Sequence, residues 1–294
     1  MHIEKLKYLI DLYECGNYTE TARKNFISQT AVTQYIHALE AEFGIRLFDR
    51  TVTPVRPTPA GELFYHEAVI LWEQYQNLRR KMENFQHNRT QTLRIAYASM
   101  AEIQPLLPII DRFNRKNPHT ELSLSKVLMK ELAEGLERNR YDLAVCIDSA
   151  FPPSPELETA VLYQGEYAAL VGKNHPLFSR DVLEKEELYR YPLIMLSPDS
   201  IGDTFHVMEE RARDTGFTPN IVKTVPDLET ELLLIFTENL IGFAPDNYEP
   251  SGFPGRIRLI PVRDFHHPFK MVLAGLKRTQ NPAVRAFLQA VAAG

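Results

Sequence analysis

Between Phe64 and Phe85, seven apolar residues follow one another at alternating steps of four and three: Phe64, Ala68, Leu71, Tyr75, Leu78, Met82 and Phe85. Only an α-helix brings such positions onto one line, and a seam this narrow belongs to a coiled coil; a helix in a globular core shows a broader stripe. Thr58 and Pro59 supply an N-cap and a first-turn proline. The pattern predicts a long helix over residues 59–90 that pairs with a second copy of itself. In a chain of 294 residues such a helix separates a small unit before it from a large one after it.

The small unit reads as helical. Leu6, Leu9, Ile10 and Tyr13 share one face of a helix over residues 3–14, which Gly16 closes. Asn17 offers an N-cap and Glu20 stands three residues on, a capping-box-like start for a helix over Tyr18–Phe26. Ser28 caps a third helix that ends at Gly44, with Val32, Ile36, Leu39 and Phe43 on its apolar side. Its other side carries Thr30, Thr33, Gln34 and His37, and Ser28 and Gln29 lie in the first turn. An ordinary surface helix would favour Lys and Glu there; short uncharged donors and acceptors suit base edges in a DNA major groove. Two helices joined by so short a turn, the second with a polar outer face, make a helix-turn-helix. The stretch Arg50–Pro57 is expected to form a β-hairpin wing that places Arg50 and Arg56 beside phosphates or in a minor groove.

Composition sets outer bounds. With 44% hydrophobic and 24% charged residues the chain is expected to be globular, and a net charge of −5 does not by itself announce a nucleic-acid binder. Bulk charge says little when only a small part of a chain touches DNA. Two cysteines, Cys15 and Cys146, are too few and too distant for a disulfide framework or a zinc site. No leader and no membrane-spanning apolar run is read, so a cytoplasmic location is expected.

From Thr92 onward strands and helices alternate: a strand 93–100, a helix 102–116, a strand 120–127, a helix 130–138 and a strand 141–148. This alternation predicts a parallel sheet with helices on both faces. A second unit of the same kind follows, and the strand FKMVLAGLK with the terminal helix returns to the first.

The segments SQTAVTQYIHALEAEFGIRLFDR (28–50) and TPAG (58–61) resemble the DNA-binding domain of LysR-type transcriptional regulators. IQPLLPIIDRFNRKNPHTELSL (103–124), VGKNHPL (171–177) and NPAVRAFLQAV (281–291) extend that resemblance over the whole chain. Four residues depart from the family pattern. Thr30 stands where proline is usual and Gln34 where Arg or Lys is common, which bears on the target sequence. Thr21 replaces an alanine and Asn25 a core leucine, which bears on packing, with Phe26 a candidate to compensate.

The resemblance implies a winged helix-turn-helix at 1–58, a linker and dimerisation helix at 59–90, and an α/β effector domain at 91–294 of the type 2 periplasmic-binding-protein kind. Its lobe I would be 91–161 with 266–294, and its lobe II 162–265. DNA contacts fall to Ser28, Gln29, Thr30, Thr33, Gln34, His37, Arg50, Arg56 and Thr58. Ligands of such folds lie at the carboxyl ends of strands, which selects Ser99, Met100, Ala101, Cys146, Asp148, Ser197, Asp199, Ser200, Ile201, Val225 and Asp227. Free N–H groups at the helix starts after Ser99 and Ser197 favour a small carboxylate-bearing effector. Lys126 and Lys173 are unranked candidates, and His266 and His267 are placed in a crossover loop. Cys146 is read as a small apolar residue in preference to a redox sensor. No cofactor, metal or membrane partner is expected. The reading is a DNA-binding, effector-responsive regulator, dimeric through the linker helix and assembled as a homotetramer. The alternative is a small-molecule-binding α/β protein or enzyme without DNA function, although neither a nucleophile elbow nor a phosphate loop is found.

Overall fold

Polar side chains start the second and third N-terminal helices, and left-handed glycines end the first and third. The computed structural model describes residues 2–86, 91–279 and 281–292. They fall into two units: Met1–Arg89 with Arg138–Arg140, and Thr90–Glu137 with Tyr141–Gly294.

In the first unit, helix α1 (Leu6–Cys15) stops at Gly16, which takes the left-handed conformation that a side chain resists. The Asn17 side chain accepts the backbone N–H groups of Thr19 and Glu20 at 2.8 and 3.2 Å and starts α2 (Tyr18–Lys24). The Ser28 hydroxyl accepts the Ala31 N–H at 3.2 Å and starts α3 (Gln29–Phe43), which ends on left-handed Gly44. Leu6, Leu9, Leu12, Val32, Ile36 and Leu39 are buried together with Leu47 and Phe48. Strands β1 (Phe48–Asp49) and β2 (Arg56–Pro57) pair antiparallel, so the wing opens two residues earlier than expected.

The family-variant positions solve their packing by polar means. Buried Thr21 returns its hydroxyl to the Asn17 carbonyl at 2.8 Å. Asn25 donates to buried Asp11 at 2.6 Å, and Lys24 reaches the other Asp11 oxygen at 2.6 Å. Phe26 does not compensate: it is 96% exposed, at a left-handed turn.

Helix α4 (Pro59–Gln86) runs for 28 residues. Its seam divides. Ala68 is buried in the winged-helix core and Phe64 meets Phe43 edge-on at 5.1 Å, because the first turns of α4 cover that core. Leu71, Leu78 and Met82, at 38%, 58% and 52% exposure, stay open to solvent. The Phe85 side chain lies outside the described residues.

The second unit starts with β3 (Thr92–Tyr97), α5 (Met100–Ile103), α6 (Leu107–Lys116), β4 (Glu121–Lys126), α7 (Leu132–Glu137) and β5 (Leu143–Ile147). The single helix expected at 102–116 is interrupted by a 3-10 turn at Gln104–Leu106, where Pro105 and Pro108 withhold N–H donors. Strand β6 (Leu157–Gly172) carries the chain into the second lobe. There follow β7 (Leu183–Glu184), α8 (Lys185–Leu188), β8 (Leu193–Leu196), α9 (Pro198–Ile201) and α10 (Thr204–Asp214). After them come β9 (Ile221–Val225), α11 (Leu228–Glu238), β10 (Ile241–Pro245), β11 (Ile257–Ile260) and β12 (Val262–Arg263). Strand β13 (Pro268–Leu276) returns to the first lobe and α12 (Pro282–Ala292) packs there, Phe287 against Phe113 at 5.1 Å.

The sheets are mixed, not purely parallel as the alternation suggested. β3 lies parallel to β4 and β5, and β8 parallel to β9 and β10. The two long crossing strands, β6 and β13, run antiparallel to each other and to their outer neighbours. They carry the chain between lobes in opposite directions, and a strand that returns pairs antiparallel.

Candidate nucleic-acid interface and ligand cavity

The buried side of α3 fixes what its other side presents. With Val32, Ile36 and Leu39 held in the core, Ser28, Gln29, Thr30, Gln34 and His37 face solvent and Thr33 is half-buried. The Thr33 hydroxyl bonds back to the Gln29 carbonyl at 3.0 Å. Among the described residues, the side chains of Gln29, Thr30 and Gln34 make no hydrogen bond to protein, so their donors and acceptors are available to another molecule.

Not every expected DNA contact is free. The Arg50 guanidinium donates to Glu40 Oε2 at 2.6 Å, meets the His37 ring at 2.6 Å and donates to the Tyr18 hydroxyl at 3.1 Å. Glu40 also accepts the Leu47 and Phe48 N–H groups at 2.9 and 3.3 Å. Arg50, His37 and Glu40 thus brace the wing against α3, with part of the guanidinium still exposed. Arg56 stands exposed on β2. The Thr58 hydroxyl is committed to the Arg46 carbonyl at 2.7 Å and to the Gly61 N–H at 3.1 Å, as a helix cap.

The second unit holds two adjoining hollows. A shallow crevice of ≈ 420 Å³ lies between the lobes and takes in Ser99, Ser200, Ile201 and Asp227 of the expected set, together with Lys126, Met129 and Leu228. Lys126 is paired with Glu229 at 2.8 Å, and Glu102, Glu131 and Asp227 also border the crevice. A deeper cavity of ≈ 90 Å³ runs from Ser99 into the second lobe. Its walls come from Ala101 and Glu102, Tyr167 of β6, Met195 and Leu196 of β8, Thr204 and Met208 of α10, Glu231 of α11, Phe243 of β10, and Phe265 and His267 ahead of β13.

Of the expected effector residues, Ser99, Ala101, Ser200, Ile201 and Asp227 come together. The others do not. Cys146 is buried in the first-lobe core, where burial raises its thiol pKa well above the ordinary value, so it stays a neutral apolar residue. Val225 is in the second-lobe core, Asp148 accepts the Lys270 N–H at 3.3 Å, and Met100 is exposed. Ser197 shares its hydroxyl with Ser200 at 3.1 Å and, like Asp199, lines neither hollow. Lys173 sits over the Phe236 ring instead.

The expected anion site at the helix starts is weakened by this geometry. Helices α5 and α9 have four residues each, too short for an appreciable dipole. Ser99 already accepts the Ala101 N–H at 3.2 Å and donates to the Glu102 carboxyl.

Buried ionisable groups set the electrostatics of the deep cavity. Burial raises the Glu102 carboxyl, with the Ser99 hydrogen bond working the other way. Glu231, also buried, is pushed up to about 8, offset only in part by the Phe243 N–H. Glu231 is therefore a neutral acid near pH 7. Burial, aided by Arg211 and His266, lowers His267 to about 4, so its ring is uncharged. His267 lies in the crossover connection between β12 and β13, as its sequence context suggested, but it is 4% exposed and stacked on Phe265 at 4.2 Å, and its Nε2 has no hydrogen-bond partner.

These groups left faint signals in the sequence. Glu231 falls on the apolar stripe of α11, with Leu228, Leu232 and Ile235, where a charge is out of place. Glu102 follows Ser99 at capping-box spacing, where a glutamate is unremarkable. Nothing local marks His267 or Tyr167.

Comparison with known proteins gives a consistent picture. The family described as "Bacterial regulatory helix-turn-helix protein, lysR family" matches residues 3–62, and "LysR substrate binding domain" matches residues 86–294. The Hca operon transcriptional activator HcaR of Escherichia coli (strain K12) is 22% identical over 296 residues, covering 99% of this chain and 97% of that protein. The crystal structure of CbnR, a LysR family transcriptional regulator, superposes with a TM-score of 0.76 at 20% identity, covering 100% of this chain and 99% of the other. Full-length CbnR complexed with its target DNA gives 0.75 at the same identity and coverage.

Proposed function

The chain belongs to the LysR family of transcriptional regulators, and from that premise we propose how its own residues divide the work. It is a DNA-binding transcriptional regulator with an effector-binding domain. In our reading the winged helix-turn-helix occupies 1–58, the linker 59–90 and the effector domain 91–294. Gln29, Thr30, Thr33 and Gln34 enter the major groove from the first turns of α3, the amides facing adenine edges and the Thr30 methyl a thymine methyl. Arg56 and the exposed part of Arg50 meet the phosphate backbone, and Glu40 holds the wing at the angle this requires.

Two recognition helices are needed for a twofold-symmetric site. The exposed Leu71, Leu78 and Met82 of α4 supply the surface that pairs them. A small molecule bound between the lobes of the second unit shifts their populations and changes the spacing or bend of the half-sites. The protein acts in the cytoplasm, where its DNA is, and performs no catalysis.

The observation that carries this reading is the polar face of α3, whose amides are left without protein partners by the burial of the opposite face. A gel-shift titration with the duplex just upstream of the protein's own gene tests it. Binding at least tenfold tighter than to a shuffled duplex of equal length and composition is expected; equal affinity for the two overturns it.

A further inference from the structure

The turn that leads into α3 carries an aromatic ring that the fold does not use. Phe26 is 96% exposed, and its backbone takes the left-handed conformation (φ 54°) in which glycine or asparagine is usual. The turn itself is firmly held. The Phe26 N–H donates to the Arg23 carbonyl at 3.2 Å and the Ile27 N–H to the Ala22 carbonyl at 3.1 Å, while Ile27 packs against the winged-helix core. The backbone therefore fixes the point from which the ring projects, and no packing within the unit stabilises the ring. A single exposed apolar residue is ordinary on a protein surface. This one is set apart by its place in the motif.

We propose that the Phe26 ring packs on the methyl group of a thymine at the edge of the DNA site, which makes Phe26 a specificity-determining residue. The proposal rests on the reading that the first turns of α3 enter the major groove.

In a helix-turn-helix the second helix meets base edges with its N-terminal end, and the first crosses the sugar–phosphate backbone. The turn that joins them lies between those two contacts. Phe26 precedes the Ser28 N-cap by two residues, a length of chain that spans at most roughly 7 Å. Ser28, Gln29 and Thr30 on one side of it are exposed, and so is the Arg23 side chain on the other, a cation suited to a phosphate. The ring has neither donor nor acceptor, so it gains nothing from a phosphate oxygen or a polar base edge. The apolar group in the major groove is the thymine C5-methyl, and a phenylalanine ring is one of the side chains that meet it. A second copy of the chain is a poorer occupant: the exposed neighbours in sequence, Arg23, Lys24, Ser28 and Gln29, are polar or charged, and one ring is far less apolar area than a stable interface buries.

Gel shifts with the full-length protein test the contact. The duplexes are the protein's own promoter, a shuffled control, and promoter duplexes in which single thymines of the footprint are replaced by deoxyuridine, which removes the methyl group alone. At one or two of these thymines the replacement should weaken binding of the unaltered protein about fourfold, the worth of one buried methyl group. Phe26→Gly removes the ring and suits the left-handed turn. It should bind the promoter about fivefold or more weakly, bind the shuffled duplex as before, and no longer respond to deoxyuridine at those positions. Phe26→Leu, still apolar, should keep most of the affinity. Should Phe26→Gly fail to fold, Phe26→Asn, which also tolerates the left-handed turn, takes its place beside Phe26→Leu. Promoter affinity unchanged in Phe26→Gly overturns the proposal, as does an equal response to deoxyuridine in both proteins. Sedimentation that changes in the variant while promoter preference does not would assign the ring to a second copy and overturn it too. With promoter preference intact in the unaltered protein, these results sink only this proposal; absence of that preference sinks the regulator reading itself.

Discussion

The polar face of α3 and the few polar groups in the wall of the deep cavity keep hydrogen-bonding side chains in opposite surroundings. On α3, Gln29, Thr30 and Gln34 stand in water with their hydrogen-bonding groups free. In the cavity, burial raises the carboxyls of Glu102 and Glu231, holding Glu231 in its neutral form near pH 7, and keeps His267 uncharged. A solvated polar group costs little to keep and is ready for a polyanion that brings its own hydrogen-bond pattern. A desolvated one must be neutral or paired. The same physics governs both regions, with solvent access as the deciding variable.

If that contrast is right, damage in one region leaves the other unchanged. The largest effect should come from Leu71→Asp with Leu78→Asp on α4. Charges on the exposed seam should split the pair and lower operator affinity a hundredfold or more. A doubly substituted protein that remains dimeric by sedimentation and binds normally would break the assignment of that seam.

A middle-sized effect is expected from Gln34→Ala. Losing one bidentate base contact should cost about 1–3 kcal/mol on the correct site and relax specificity at one base pair. Melting temperature should be almost unmoved, since surface changes of this kind stay within about 0.5 kcal/mol. Undiminished operator binding in a gel shift would remove Gln34 from the reading set.

The smallest effect sharpens the comparison from the other side. Glu231 titrates near 8 in the fold and near its ordinary carboxyl value when unfolded. Between those values the unfolded chain gives up a proton that the folded chain keeps. Stability from this group is therefore complete at low pH, declines as pH rises towards 8 and levels off above it. His267 works in the opposite sense, through the range from about 6.5 down to about 4, so measurements above pH 6.5 exclude the histidine, and comparison with a Glu231 variant singles out the glutamate. Glu231→Gln should flatten the fall in melting temperature between pH 6.5 and 9 and leave operator affinity unchanged. An identical slope in both proteins would show that Glu231 is ionised in the fold.

Much of the N-terminal unit could be read directly from its residues. Asn17, Ser28, Gly16 and Gly44 act within a few positions of themselves, and each stands at the helix end where its own chemistry placed it. The α4 seam was legible as a pattern but not as a division of labour, since which turns face the winged-helix core depends on how that core packs. Arg50 looked like a free wing cation; its engagement with Glu40 and His37 joins residues ten and thirteen positions away. In the second unit the alternation of strands and helices was plain, but the antiparallel crossing strands were not, because pairing direction follows from where a returning chain is carried.

What the order of residues determined by itself was local: helix starts and stops, the apolar periods, the exposed amides of α3 and the family to which the chain belongs. These depend on neighbours within a turn or two of helix, or on a pattern that survives without coordinates. Only the tertiary structure decided that Glu102, Glu231 and His267, more than a hundred residues apart at the extremes, line one cavity, and that Glu231 and His267 are uncharged there near pH 7. Charge state follows from desolvation, and desolvation is a property of what the rest of the chain packs around a group.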